Sequence, residues 1–162
     1  MNKYAPHVYV IPEDDANRQI ADGFVLHPGV KEARIQVVPP AGGWPRVLKT
    51  FRDEYIAKLR DYPNTHVVML IDFDDQVEKR KADFERETPA EFTMRVFVIG
   101  PRYTPEALKN ELKKSFEEIG TALADDCDKG TVALWGHEQF SHNEAERKRL
   151  IETVMPFLFL TR

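Results

Sequence analysis

Two groups of acidic residues carry the chemistry this chain can offer. Glu13-Asp14-Asp15 follows the apolar run Val8-Tyr9-Val10-Ile11-Pro12, and Asp72-Phe73-Asp74-Asp75 follows His66-Val67-Val68-Met69-Leu70-Ile71. Carboxylates brought together in a partly buried place repel one another, at a cost on the order of several kcal/mol, and a divalent cation is the simplest way to offset it. Mg²⁺, or Mn²⁺ in its place, prefers one or two carboxylates, waters and phosphate oxygens to a full protein cage. The chemistry implied is phosphoryl transfer or phosphodiester hydrolysis. Acids after a strand also serve as helix caps, and Asp14 or Asp15 fits that role equally well.

The elements that must position these acids are legible as an alternation. Residues 7–11 read as a short β-branched and aromatic strand closed by Pro12, and residues 14–24 as a helix with Ile20 and Phe24 on one face. Residues 33–38 read as a second strand, ended by Pro39-Pro40 and the turn formers Gly42-Gly43. From Pro45 to Asp61, Leu48, Phe51 or Arg52, Tyr55 and Leu59 recur at helical spacing. Residues 66–71 are apolar on both faces, as a central strand covered on two sides requires. The charged stretch 76–87 reads as a solvated helix or a loop. Residues 94–99 make a fourth strand, Thr104-Pro105-Glu106 opens one long amphipathic helix carrying Leu108, Leu112, Phe116, Ile119 and Leu123, and residues 131–135 make a fifth strand. Asn143 caps a last helix before the apolar tail Phe157-Leu158-Phe159-Leu160. The expectation is a single α/β domain over 1–162: a Rossmann-like, open, mostly parallel five-stranded sheet with helices on both faces. In such sheets ligands collect at the carboxyl ends of the strands, where both acidic groups fall.

Composition narrows the classes further. The 162 residues, 42% hydrophobic with 10 Phe, suffice for one compact core and exclude a disordered tail protein. A formal net charge of −4 argues against nucleic-acid binding by bulk positive field, although a bound cation reverses the local field of a carboxylate site. Cys127 is the single cysteine, which fits a reducing compartment, and it has no basic neighbour in sequence to make it a nucleophile. No apolar run approaches the roughly twenty residues of a membrane span. With no leader pattern at the start, the expected location is the cytoplasm, with no membrane partner.

Val8-Tyr9-Val10-Ile11-Pro12-Glu13 followed by Val67-Val68-Met69-Leu70-Ile71-Asp72-Phe73-Asp74 resembles the Toprim domain of topoisomerases, primases and OLD-family nucleases, and the small stand-alone Toprim-like proteins. The resemblance covers about the first half of the chain by motif and the rest by its strand–helix rhythm. It implies that Glu13 is an acid–base residue or metal ligand, that Asp72 and Asp74, with Asp75 beside them, hold Mg²⁺ or Mn²⁺, and that the substrate is DNA or RNA. Two positions depart from the family pattern. Asp14 stands where a Gly usually follows the Glu, and no Gly follows the Asp-x-Asp in Asp75-Gln76-Val77-Glu78.

Other residues on the same sheet edge are candidate substrate contacts. Arg18, about a turn and a half beyond Glu13 on the first helix, can hold a phosphate or be an ordinary surface arginine. Trp44, after Gly42-Gly43, can stack on a base or half-fill a tight turn. Arg102 follows strand four, and His137 and Glu138 follow the expected fifth strand, as phosphate contacts, acid–base groups or loop residues. His137 and His142 are five apart, so their rings diverge rather than share an ion. No Gly-x-x-x-x-Gly-Lys-Ser/Thr motif occurs, so any energy coupling would come from an ATPase or other protein partner. The apolar tail is either a last strand or a patch for a partner or second copy, as in a homo-oligomer. Three alternatives stand beside the nuclease reading: a receiver-like regulatory module with Asp72 as phosphoacceptor, a haloacid-dehalogenase-like phosphatase with the Asp72-Phe73-Asp74 pair, and an inactive scaffold.

Overall fold

A computed structural model of the protein describes residues 1–160. Strand β1 (His7–Pro12) is buried along its whole length, and α1 (Asp15–Val25) follows it. Strand β2 (Ile35–Val37) is short. Helix α2 (Trp44–Thr50) passes through a π-helical turn (Phe51–Tyr55) into α3 (Ile56–Asp61). Then come β3 (Thr65–Leu70), α4 (Val77–Glu87), a 3-10 segment (Ala90–Arg95) and β4 (Val96–Ile99). The chain closes with α5 (Pro105–Leu112), α6 (Phe116–Lys129), α7 (Glu144–Thr153) and the single turn α8 (Met155–Leu158).

The four strands form one all-parallel sheet in the order β2-β1-β3-β4, a Rossmann-like α/β architecture. Side chains alternate across a strand, and here the alternation feeds two cores. Tyr9, Ile11, Val67 and Met69 join Val47, Leu48, Phe51, Tyr55 and Leu59 on one face. Val8, Val10, Val68 and Leu70 join Ala21, Ala124, Leu150 and Val154 on the other. That two-sided burial is why β1 and β3 read as continuous apolar runs. The charged stretch before β4 is a helix because Phe84 is fully buried in the first core.

One long amphipathic helix was expected after Thr104; two form. Lys113, with φ of +55°, ends α5, and Ser115 starts α6 with a capping box in which Ser115 and Glu118 satisfy each other's backbone amides. Helix α6 is clamped to α1, since a Cβ at Gly120 would stand 1.8 Å from the Ile20 carbonyl oxygen. This fastens the element that begins at Asp14.

The expected fifth strand does not exist, and the sheet has four. The amides of Thr131 and of residues 133–136 are spent elsewhere. Asp126, buried near the end of α6, accepts from Thr131 Oγ1 (2.6 Å) and from the backbone amides of Ala133 (3.1 Å), Leu134 (2.8 Å) and Trp135 (3.2 Å). The turn this makes places Leu134 and Trp135 in a third cluster with Ile20, Leu108 and Ile119. Asp125, Asp126 and Asp128 lie within α6, and Asp126 is the buried anchor of the turn that follows it. The outer edge of β4 is met by side chains of the last helical segment: Glu146 accepts from the Val98 amide (2.9 Å), Asn143 from that of Gly100 (3.3 Å), and Arg149 donates to the Val96 carbonyl (3.2 Å). The apolar tail is neither a full strand nor a wholly exposed patch: Leu158 and Phe159 are buried, Phe159 bridges to Val30, and Leu160 is exposed.

Removing the Asp126 carboxylate tests this account of the missing strand. Asp126→Ala is expected to cost about 3 kcal/mol, the scale of losing hydrogen bonds to a charged acceptor. In chemical denaturation its midpoint falls, and the Leu134 and Trp135 amides lose protection in hydrogen exchange; unchanged protection would show that the carboxylate does not hold the turn.

Candidate functional site

Sheet register builds the site. Pro12 pairs with Leu70, and the Glu13 amide donates to the Leu70 carbonyl at 2.9 Å, so Glu13 leaves β1 at the level where Asp72 leaves β3. The two strands are neighbours at the point where the chain's direction of winding reverses. Gly100 lets the end of β4 close on the same place, because a Cβ there would overlap the Ile71 carbonyl oxygen at 1.6 Å.

Oxygens of Glu13, Asp14 and Asp72 all lie within 4.8 Å of one another, the one such group of potential metal ligands among the described residues. Glu13 and Asp72 are each only 7% exposed. Asp72 Oδ1 accepts from Asn17 Nδ2 at 2.9 Å, and Glu13 Oε2 accepts from the Asp72 amide at 3.3 Å. Asp14 also caps α1, accepting from the Asn17 amide at 3.0 Å, so the capping and clustering roles coexist in one side chain. Burial pushes the pKa of Asp72 up to about 8; the negative charges of Glu13 and Asp14 push the same way, and the Asn17 hydrogen bond opposes them. Glu13 is also raised, by burial first, with the charges of Asp14 and Asp74 adding to it.

This donor set fits a hard divalent cation. Ligands on opposite sides of Mg²⁺ stand about 4.2 Å apart and those of Ca²⁺ about 4.8 Å, so three oxygens within 4.8 Å of one another are close enough to share one ion. Asn17, fully buried, has a side-chain oxygen with no hydrogen-bond partner, a further hard donor beside Asp72. The acidic triad can therefore bind a metal ion through Glu13, Asp14 and Asp72.

The remaining expected residues are distributed around this centre. Asp74 lies outside the group of three, with Oδ2 3.8 Å from Arg80 Nη1, although its charge still reaches Glu13. Asp75 is drawn to Arg102, whose Nε donates to it at 2.9 Å. Both aspartates have positive φ, +50° and +58°, so the turn adopts at Asp75 a conformation that glycine takes freely. Arg18 is bound on its own helix by Asp15 and Asp22, both at 2.7 Å. One face of Trp44 is covered by the Arg80 guanidinium, 4.2 Å from the ring centre. His137 pairs with Glu111 at 3.3 Å, and His142 Nε2 bonds the Gly100 carbonyl at 2.8 Å, so the two histidines do not converge. Glu138 is exposed in an open cleft with Asp75 and Arg102. Burial pushes the Cys127 thiol up to about 12, away from nucleophile chemistry.

Two residues of the site have weak sequence signals. Asn17 stands three residues after the Asp14 cap. Arg80 takes the middle of a Val77, Arg80, Phe84 stripe in an otherwise charged helix, a spacing that marks it as inward-facing. No helix among the described residues is long and apolar enough to cross a membrane. No protein-family model matches the chain, and neither a curated protein nor a solved structure matches it.

The raised carboxyl pKa values have a definite sign. The folded state holds protons here that the unfolded chain releases, so the stabilising contribution is complete below about pH 4 and is lost as pH rises through about 8. Thermal unfolding followed across that window should show the melting temperature falling in the parent. The fall should be weaker in Asp72→Asn, and Mg²⁺ should reverse it at the alkaline end. A flat parent profile would mean the two carboxyls are not crowded.

Proposed function

We propose that the protein is a Toprim-like, Mg²⁺- or Mn²⁺-dependent phosphodiester hydrolase acting on nucleic acid. The observation that carries the reading is the meeting of Glu13 and Asp72, 59 residues apart, as buried carboxylates at the ends of adjacent parallel strands. That is the pairing of a Glu after one strand with an Asp-x-Asp after another which the resemblance requires. A bound divalent ion supplies charge that polarises a phosphate oxygen. The chain's own residues do the rest: Asp72 and Asp14 present oxygens to the ion, Asn17 fixes the Asp72 carboxylate, and Glu13, its pKa raised by burial, holds its proton more firmly than an exposed carboxyl and is suited to exchange one with the reacting group. Asp74 joins the reading as the charge that links this centre to Arg80. A DNA or RNA substrate, a partner protein and self-association belong to the same proposal.

The receiver-like alternative needs a lysine after a fifth strand, where this chain has the Asp126-held turn and Gly136-His137. The phosphatase alternative expects the Asp-x-Asp on the first strand, and here it follows β3.

Calorimetric titration with Mg²⁺ and Mn²⁺ tests the centre, and incubation with single- and double-stranded DNA and RNA tests the activity. The parent should bind one of the two ions and cleave at least one substrate. Glu13→Gln and Asp72→Asn should lower cleavage about a hundredfold or more, the scale of losing a group engaged in proton transfer or charge stabilisation. Cation binding that survives both substitutions, or binding without cleavage of any substrate, would overturn the reading.

A further inference from the structure

Arg80 is an arginine whose hydrogen-bonding capacity is not used by the fold. Its side chain is 7% exposed, and neither Nε nor Nη1 makes a hydrogen bond. Its one close carboxylate is Asp74, whose Oδ2 stands 3.8 Å from Nη1, beyond hydrogen-bonding distance. The guanidinium is held over Trp44, Cζ 4.2 Å from the ring centre. Most buried polar groups find a partner, and a buried charged fork that lacks one invites the question of what completes it.

Its position answers in part. Trp44 follows Gly42 and Gly43, whose amides both donate to the Glu13 carbonyl, at 2.8 and 3.1 Å. Asp74 lies two residues past Asp72 and acts electrostatically on Glu13. Arg80 is therefore a cation set at the margin of the acidic centre, on a platform tied to that centre by the backbone. A guanidinium is planar, always charged and weakly hydrated, and its N–H geometry matches phosphate oxygens better than an ammonium does. We infer that Arg80 is a phosphate-binding residue of this site: its unspent N–H groups receive oxygens of a phosphate group, and Trp44 fixes the plane of the guanidinium for that contact. Asp74 is half exposed, and the phosphate takes its place beside Arg80, one anion replacing another, so that the arginine remains neutralised throughout. The inference rests on the nuclease reading for the kind of phosphate, a nucleic-acid backbone; a free phosphate or small phosphoester offers the same chemistry.

The test follows the Arg80 Nε–H and the Trp44 indole N–H by NMR in the full chain, with Mg²⁺ present, as inorganic phosphate or a short single-stranded oligonucleotide is added. Both signals should shift and saturate. Binding read at the Trp44 indole should weaken roughly tenfold in Arg80→Lys, the loss of about one charge-assisted hydrogen bond, and further in Arg80→Gln. Response to the oligonucleotide assigns the site to a nucleic-acid backbone; response to inorganic phosphate alone assigns it to a small phosphate ligand, and both support Arg80 as the phosphate contact. Signals that stay still, or a phosphate affinity equal in parent and Arg80→Lys while only the melting temperature drops, would overturn it and leave Arg80 a structural counter-charge. Mg²⁺ calorimetry separates the two ideas. Cation binding with no Arg80 response sinks this inference alone, and an Arg80 response without cation binding sinks the metal reading alone.

Discussion

Two carboxylates buried side by side are the constraint around which this protein is arranged. At a separation of about 4 Å, unit charges interact by about 4 kcal/mol in a partly screened protein environment, and the loss of water around each adds to the repulsion. Glu13 and Asp72 cannot both be ionised there without compensation. The molecule supplies a small amount of it, one amide from Asn17 and one from the Asp72 backbone, and leaves the rest to a proton or a cation. A pair of acids kept in such a position is a demand for positive charge at a defined place.

The rest of the fold can be understood as what keeps that demand in force. The β1–β3 register sets the two acids at one level, Gly100 lets β4 close against Ile71, and the tight α1–α6 crossing at Gly120 immobilises the helix that carries Asp14 and Asn17. Were any of these loose, the carboxylates would drift apart into water and the repulsion would relax. Arg80 is close enough to offset charge through Asp74, yet it forms no hydrogen bond with that carboxylate. The centre is thus held short of neutrality by its own neighbours.

The parts of this arrangement legible in the sequence are those carried by periodicity and by residue type at strand ends. Residues 66–71 are apolar at every position but His66, and that alone marks a strand covered on both faces; Glu13 and Asp72 follow directly from where such strands stop. What escapes is whatever depends on side chains competing with the backbone ladder. Residues 131–135 have the composition of a strand, but the Asp126 carboxylate captures the amides of Ala133, Leu134 and Trp135, and no local pattern announces a buried acid nine residues upstream of Trp135. Lys113 and Ser115 split a helix whose apolar spacing is continuous across them. Asn17 and Arg80 look like surface residues by type; the spacing of Arg80 with Val77 and Phe84 points it inward, but what each meets there is a tertiary fact. The absence of glycine after the Asp-x-Asp is likewise resolved only in three dimensions, where Asp75 takes up the left-handed conformation itself.

The lateral boundary of the sheet has a consequence for how this architecture can change over time. Asn143, Glu146 and Arg149 occupy, at three-residue intervals, the backbone positions along β4 to which another strand would hydrogen-bond. Such a border resists intermolecular zippering, the usual hazard of an uncovered edge. It also means that lengthening the sheet by descent would require these three side chains to let go together, so growth is more accessible on the β2 flank, which ends in only three residues.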